Sequence, residues 1–437
     1  MVITIILLIF LLVVYLYVTF LEKEDNNYSG DDIFAVFYDS LGSATASYFE
    51  LDNNFAGGTG SIDNPYLIEN PRQLNNMRNY LDAHFKLISD IDMEIFCQKE
   101  EWVPIGNTKD NPFIGSFDGD NFKIINLIIV DKYYVGFFGY SGNIKNKSVI
   151  KNVILENLTA ISYSDCGGLV NNNYGLINNC EVRGFVKGED MTGGIVASTR
   201  GNILDSKFYG TVNGGRKTGG LIGRTDQGVN VKRCHVEGEI KGGNYVGGLI
   251  GENSGAIENA IVERCYTKVN ILEGLGGVGG LVGINHGIIS ECFTECKIEA
   301  GINVGGLVGG NEKIIKNSYS KGKISGINNV GGLVGWNSGD YLHLNEYSII
   351  NCYTSVNVSA DEKSGNLVGR TDRNIKSSYF LKDLNYNKDC SYTGYPANVY
   401  DMMQKETFVG WDFENIWMID NGREYPYLKW FYDYYYN

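Results

Sequence analysis

The strongest constraint on the fold is a glycine phrase that returns through most of the chain. Val330-Gly331-Gly332-Leu333-Val334-Gly335 is one copy. Near-copies carry the pairs Gly167-Gly168, Gly193-Gly194, Gly219-Gly220, Gly247-Gly248, Gly279-Gly280 and Gly305-Gly306, and degenerate forms start at Gly136 and Gly365. Successive first glycines lie 31, 26, 26, 28, 32, 26, 26 and 34 residues apart. A recurring interval of 26 with loop-sized additions marks a repeat array, in which each unit buries its apolar surface against its neighbours.

The content of one repeat predicts its shape. In the copy from Gly305, GGLVG reads as a short strand, Asn317-Ser318-Tyr319 as a second and Lys323 to Gly326 as a third, separated by turns. Three short strands in 26 residues describe one coil of a parallel β-helix, each strand pairing with its equivalent about 4.8 Å away in the next coil. Two residues after the first glycine stand Leu169, Ile195, Leu221, Leu249, Leu281, Leu307, Leu333 and Leu367, an aliphatic ladder for the interior. The next position is always Val or Ile. Adjacent strand positions face opposite ways, so either both sides are covered or the chain bends there.

The glycine pairs suit a corner needing positive φ or the close approach of another segment. Asn173, Thr199, Thr225, Asn253, Asn285, Asn311, Asn337 and Thr371 recur at one turn and are expected to bond to each other along the stack. Gly175, Gly201, Gly255, Gly287 and Gly339, two residues on, are expected to supply a left-handed backbone. Cys180, Cys234, Cys265, Cys292 and Cys352 share a position with Ser206, Ser318 and Ser378, which reads as a small, inward, stacked site. Neighbouring rungs put Cys265 and Cys292 within disulfide range, so one bridge is open to them. With nine cysteines in all, complete pairing is excluded.

The array, residues 136–380, is preceded by a cap and first coils over 57–135. There Asn70-Pro71-Arg72-Gln73 opens a short helix carrying Leu74, Met77 and Leu81 on one face. Residues 381–437 lose the period and are rich in Trp and Tyr, an aromatic cap over the last rung. At the other end, residues 1–21 contain no charged side chain, enough for a bilayer-spanning helix. No basic leader or small-residue cleavage site is clear, so an uncleaved transmembrane anchor is favoured over a signal peptide. Residues 22–56 then form an acidic spacer, and the body lies outside the cytoplasm.

The phrase GGLVGxNxG followed by I-x-N-C/S-Y resembles the GLUG repeat of bacterial and archaeal surface proteins. The lead-in fragments Trp102-Val103-Pro104-Ile105-Gly106 and Gly115-Ser116-Phe117-Asp118-Gly119, and the closing Gly410-Trp411-Asp412-Phe413, are similar to what flanks that repeat. The resemblance covers about 57–430. It implies an all-β parallel β-helix of about nine coils. On activity it is unspecific, since the repeat occurs in adhesin-like proteins and beside immunoglobulin A-cleaving metallopeptidase domains.

Chemistry is sparse. The histidines are His84, His235, His286 and His343, and no HExxH exists to hold a peptidase zinc. Gly274-x-Gly276-x-x-Gly279 spells a dinucleotide fingerprint but straddles a repeat boundary with no helix after it. Arg224-Thr225-Asp226 and Arg370-Thr371-Asp372 are candidate acid/base groups, yet their recurrence at the Asn/Thr turn reads as structural. Asp90, Asp92, Asp118 and Asp120 are weak calcium candidates through oxygen ligands. A net charge of −14 argues against nucleic acid. The expectation is therefore a non-enzymatic, membrane-anchored, adhesin-like or structural surface solenoid without cofactor. Its partner is an extracellular protein or glycan, met through loops after Cys234, around Leu272 and at Tyr341-Leu342-His343-Leu344. A carbohydrate-binding or carbohydrate-active β-helix is the alternative.

Overall fold

The computed structural model describes residues 54–255, 259–339, 346–384 and 394–436. Their strands stack into a right-through parallel solenoid of four sheets, here I to IV, with eight, nine, twelve and thirteen strands. In one coil Ile302–Gly305 belongs to sheet I, Val308–Asn311 to II, Ile314–Lys316 to III and Tyr319–Gly326 to IV. Each pairs in parallel with its equivalent one coil on, as Gly305 with Gly331, Val308 with Val334, Ile315 with Ile349 and Tyr319 with Tyr353. The nine strands of sheet II match the expected nine coils.

Four strands per coil replace the expected three because the glycine phrase is a bend joining two strands. The chain turns at Gly306-Leu307, so Leu307 and Val308 both enter the core, as do their equivalents in every coil. The corner glycines are required by close approach: neither Gly305 nor Gly306 has positive φ. A Cβ on Gly305 would lie 1.9 Å from the Val308 carbonyl oxygen, and one on Gly306 2.1 Å from that of Gly332. One turn on, the expectation is overturned. Gly175, Gly201, Gly255, Gly287 and Gly339 are not left-handed; a Cβ on Gly201 would fall 1.7 Å from the Gly175 carbonyl oxygen.

Left-handed residues recur instead at Lys217, Tyr245, Asn303 and Asn329 by the sheet I strands, and in an arc between sheets III and IV, immediately before the Cys/Ser position. Asn179, Asp205, Arg233, Arg264, Glu291, Asn317, Asn351 and Ser377 there have φ of 44–54°. Such a backbone costs L-residues roughly 1–2 kcal/mol, least for Asn and Asp. Where Arg occupies it, cross-coil pairs help offset the cost: Arg233 grips both oxygens of Asp205 at 2.6 and 2.7 Å, and Arg264 meets Glu291 at 2.9 Å.

Two buried polar ladders run inside the stack. Asn253 Nδ2 donates to Asn285 Oδ1 at 2.8 Å, Asn285 to Asn311 at 2.9 Å, Asn311 to Asn337 at 2.8 Å, and Asn337 to Thr371 Oγ1 at 2.8 Å. At the Cys/Ser position the side chains are buried and free of disulfides. Cys265 and Cys292, to which the rung spacing leaves a bridge open, are free thiols turned to carbonyl oxygens, Cys265 to Glu263 at 3.3 Å and Cys292 to Ser290 at 3.2 Å. Burial pushes the thiols of Cys180 and Cys352 up to about 12.

At the leading end the expected helix, α1 (Pro71–Asn76), forms with Asn70 Oδ1 accepting from the Arg72 and Gln73 amides, and Leu74 and Met77 join the core. A second helix, α2 (Glu94–Lys99), had no sequence signal beyond Phe96, which packs against Trp102. No described helix is long and apolar enough to cross a membrane; the proposed anchor at 1–21 lies outside the described residues.

The C-terminal segment departs furthest from expectation. The expected cap over the last rung folds back along the flank of sheet IV. Outward from that sheet, in successive coils, stand Tyr266, Phe293, Tyr319 and Tyr353, with ring centroids 4.4, 4.8 and 4.8 Å apart. Trp411 and Trp417 and the helix α3 (Lys429–Tyr436) lie over this stack. Trp430 Nε1 donates to the Glu291 carbonyl at 2.9 Å, and Tyr353 Oη to that of Pro426 at 2.7 Å. The result is a second apolar core outside the first.

Candidate functional site

Three parts of the surface bear on function: the acidic lead-in, the corner between sheets IV and I, and the seam beneath the C-terminal segment.

The lead-in carboxylates do not assemble into a cation site. Asp90 accepts from the Lys123 amide at 2.8 Å, Asp92 from the Glu94 amide and Asn126 Nδ2, and Asp120 pairs with Lys86 at 3.0 Å. Asp118 accepts from the Asp120 amide and Asn152 Nδ2 and pairs with Lys151 at 3.1 Å. Burial opposes its ionisation, but these bonds outweigh burial and hold its pKa below the usual carboxylate value. Each Asp thus faces an amide or ammonium of the adjoining coil, the role of a turn cap. No group of three or more His, Cys, Asp or Glu suited to a metal exists among the described residues.

The repeated Arg-Thr-Asp phrases are also structural. Thr225 and Thr371 belong to the buried ladder, Asp226 pairs with Arg200 at 2.7 Å, and Asp372 accepts from Ser338 Oγ at 2.6 Å. Gly274, Gly276 and Gly279 occupy the turn and strand that lead into a sheet I corner, without a following helix.

The corner between sheets IV and I carries an open groove of 790 Å³ running across several coils. Its lining includes the stacked series Gly214, Gly242, Gly274, Ala300 and Gly326. Leu272, Leu275 and Ile327 stand exposed along it, Leu275 at 68%. The Leu272 segment is a one-residue slip in register, where Lys241 pairs with Glu273. Glu273, Glu299 and Asp361 also line the groove, but Glu273 pairs with Lys241 at 3.2 Å and Glu299 with Lys297 at 3.1 Å. The loop placed after Cys234 is not there: His235–Lys241 is an ordinary sheet IV strand, and the two extra residues of that coil precede Cys234. Tyr341-Leu342-His343-Leu344 lies outside the described residues.

The seam under the C-terminal segment holds an open cavity of 550 Å³ between sheet IV, the stretch 423–427 and the start of α3. Phe293, Tyr319, Tyr425 and Tyr427 supply aromatic walls, and Glu295, Lys321, Arg423 and Glu424 the charges. Sequence reading missed this site, because its walls come from coils more than 100 residues before its lid. The density of aromatics after residue 398 was the only signal of it.

With this geometry in hand, comparison with known proteins places the repeat. The model of the GLUG motif matches residues 300–325, and this chain carries that repeat. It is 38% identical over 160 residues to a protein of Evansella cellulosilytica named as a candidate Gly-rich membrane protein. It is 29% identical over 193 residues to halomucin of Haloquadratum walsbyi. These matches cover 34% and 39% of the chain, and 17% and 2% of those relatives. Among solved structures, a candidate immunoglobulin A1 protease from Bacteroides ovatus aligns over 86% of this chain and 95% of its own, with 20% identity and a TM-score of 0.40. A second, named IgA1 protease, covers 71% of this chain and 21% of its own, with 16% identity and a TM-score of 0.36.

Proposed function

We propose that this protein is a non-enzymatic β-solenoid of the cell surface, anchored through residues 1–21, that presents an elongated face to an extracellular partner. The observation that carries the reading is the groove between sheets IV and I. It is an open track with an apolar edge, spread over several coils, whose acidic side chains at Glu273 and Glu299 are tied to lysines. Such a surface suits extended contact by many residues, and two of its carboxylates, Glu273 and Glu299, are committed to lysines. The relatives named as a membrane protein and as halomucin agree with a surface setting. Non-enzymatic contact with a protein or glycan remains the function assigned to the groove.

The test compares tagged full-length protein with a form lacking residues 1–21. Membrane fractionation and protease shaving of intact cells should place the full-length chain in the membrane with its body accessible from outside, and should release the truncated form. Full-length protein in the soluble cytoplasmic fraction would refute the surface assignment.

A further inference from the structure

We infer that the seam beneath the C-terminal segment is a glycan-binding site that holds a pyranose ring. The inference gives chemistry to one face of the proposed surface protein and rests on that reading only for its biological setting.

The argument begins with the outward row of sheet IV that follows the aromatic stack. Its successive residues are Glu237, Lys268, Glu295 and Lys321, each in register with the next. Alternating charges one rung apart should pair, and the first couple does, Lys268 to Glu237 at 3.3 Å. The second does not. Lys321 makes no ion pair among the described residues; its ammonium lies over the Tyr319 ring, 5.2 Å from the centroid, at the wall of the seam. Burial lowers its pKa, with Glu295 and Glu424 opposing the shift. A half-buried ammonium without an ion pair, lying over a ring at the wall of a cavity, keeps N–H donors for a ligand bound there.

The rest of the lining fits one ligand class. Tyr425 and Tyr427 are partly exposed rings, able to stack on the C–H face of a sugar. Glu295 and Glu424 can accept hydrogen bonds from hydroxyls, while Lys321, and the N–H groups of Arg423 not directed at Asp420 (3.5 Å), can donate to hydroxyl and ring oxygens. Two carboxylates balance the two cations, so the site does not select for anions by charge. A volume of 550 Å³ lies within the usual range of small-ligand pockets. The walls are also held in place: the Tyr353–Pro426 and Trp430–Glu291 bonds pin the lid to the solenoid on both sides of Tyr427. A preformed site loses less affinity to ordering.

The test uses purified full-length protein on an array of defined neutral and uronic-acid-bearing oligosaccharides, followed by titration calorimetry with the best ligand. Binding should be detected, and Lys321→Met, which keeps the stem, should weaken it roughly tenfold or more, the worth of a charge-assisted hydrogen bond. Tyr427→Ala should weaken it comparably, while Lys323→Met, one position outside the lining, should leave it unchanged. Melting temperature and near-ultraviolet circular dichroism of each variant separate loss of contact from detachment of the lid. Equal binding of neutral and uronic-acid-bearing sugars supports hydroxyl recognition; binding restricted to uronic acids would overturn the balanced-charge reading of the site. Absence of any glycan binding, or binding untouched by Lys321→Met and Tyr427→Ala, overturns the inference. Surface localisation by protease shaving is read independently, so either proposal can fail alone.

Discussion

Replacing Asn311 tests whether the amide ladder holds the coils in register. Asn311 is fully buried; its Nδ2 donates to Asn337 Oδ1 at 2.8 Å and to the Lys313 carbonyl at 3.2 Å, and its Oδ1 accepts from Asn285 Nδ2 at 2.9 Å. Asn311→Ala removes all three bonds. The neighbours are not wholly stranded, since Asn285 Nδ2 keeps the Gly287 carbonyl at 3.0 Å and Asn337 Oδ1 keeps Ser348 Oγ at 3.1 Å. At about 1 kcal/mol per bond, with partial rescue, the expected loss is roughly 2–3 kcal/mol. Asn311→Thr should cost only about 1 kcal/mol, because Thr225 and Thr371 already serve the ladder with one hydroxyl. Asn311→Asp should exceed the Ala cost: a carboxylate cannot donate to Asn337, and a buried charge is left with the Asn285 amide but no counter-ion. Urea unfolding followed by far-ultraviolet circular dichroism gives the comparison, and amide exchange shows whether loosening is confined to adjoining coils. A loss below about 0.5 kcal/mol for Ala, or Thr as damaging as Ala, would refute the ladder as a source of stability.

Three further outcomes follow from the same geometry. Gly306→Ala should cost about 3 kcal/mol, the upper end of overpacking penalties, since the new Cβ meets the Gly332 carbonyl oxygen at 2.1 Å and backbone cannot yield; a thermal melt within 2 °C of wild type would contradict this. Cys352→Ser should stay within about 1 kcal/mol in the same assay, because Ser318 and Ser378 fill the equivalent site. His235 is buried between Tyr209 and Tyr266, and burial lowers its pKa to about 4. Its folded pKa lies below the unfolded one, so its contribution is full above about pH 6.5 and is lost as pH falls toward 4, by roughly 3 kcal/mol. His235→Phe, copying Phe293 one position of the same ladder, should flatten that acid limb; an unchanged pH profile would count against the assignment.

Much of the solenoid was legible because its constraints repeat every coil. The Leu ladder, the Asn/Thr ladder and the Cys/Ser site each recur at fixed offsets from the glycines, and one stacking rule places them all. Where the reading failed, the sequence allowed two backbone answers. Gly201 suits a left-handed turn as well as a crowded one, and only the Gly175 carbonyl beneath it decides for crowding. Left-handed residues such as Arg264 and Glu291 carry no local signal at all; the cross-coil ion pair between them does. The seam was hidden for a related reason, because Lys321 reads as one more surface lysine until Tyr319 and the distant Glu424 are seen beside it.

The sequence by itself determined that the chain stacks, how long each coil is and which side chains line its interior, since periodicity carries that information locally. Only the tertiary structure decided that GGLVG is a bend between two strands, and that the aromatic tail lies along sheet IV instead of across the last rung. That choice rests on contacts such as Trp430 to Glu291, 139 residues apart. No repeat encodes such a contact, because it depends on the fit of one unrepeated segment to an aromatic stack that exists only once the coils are assembled.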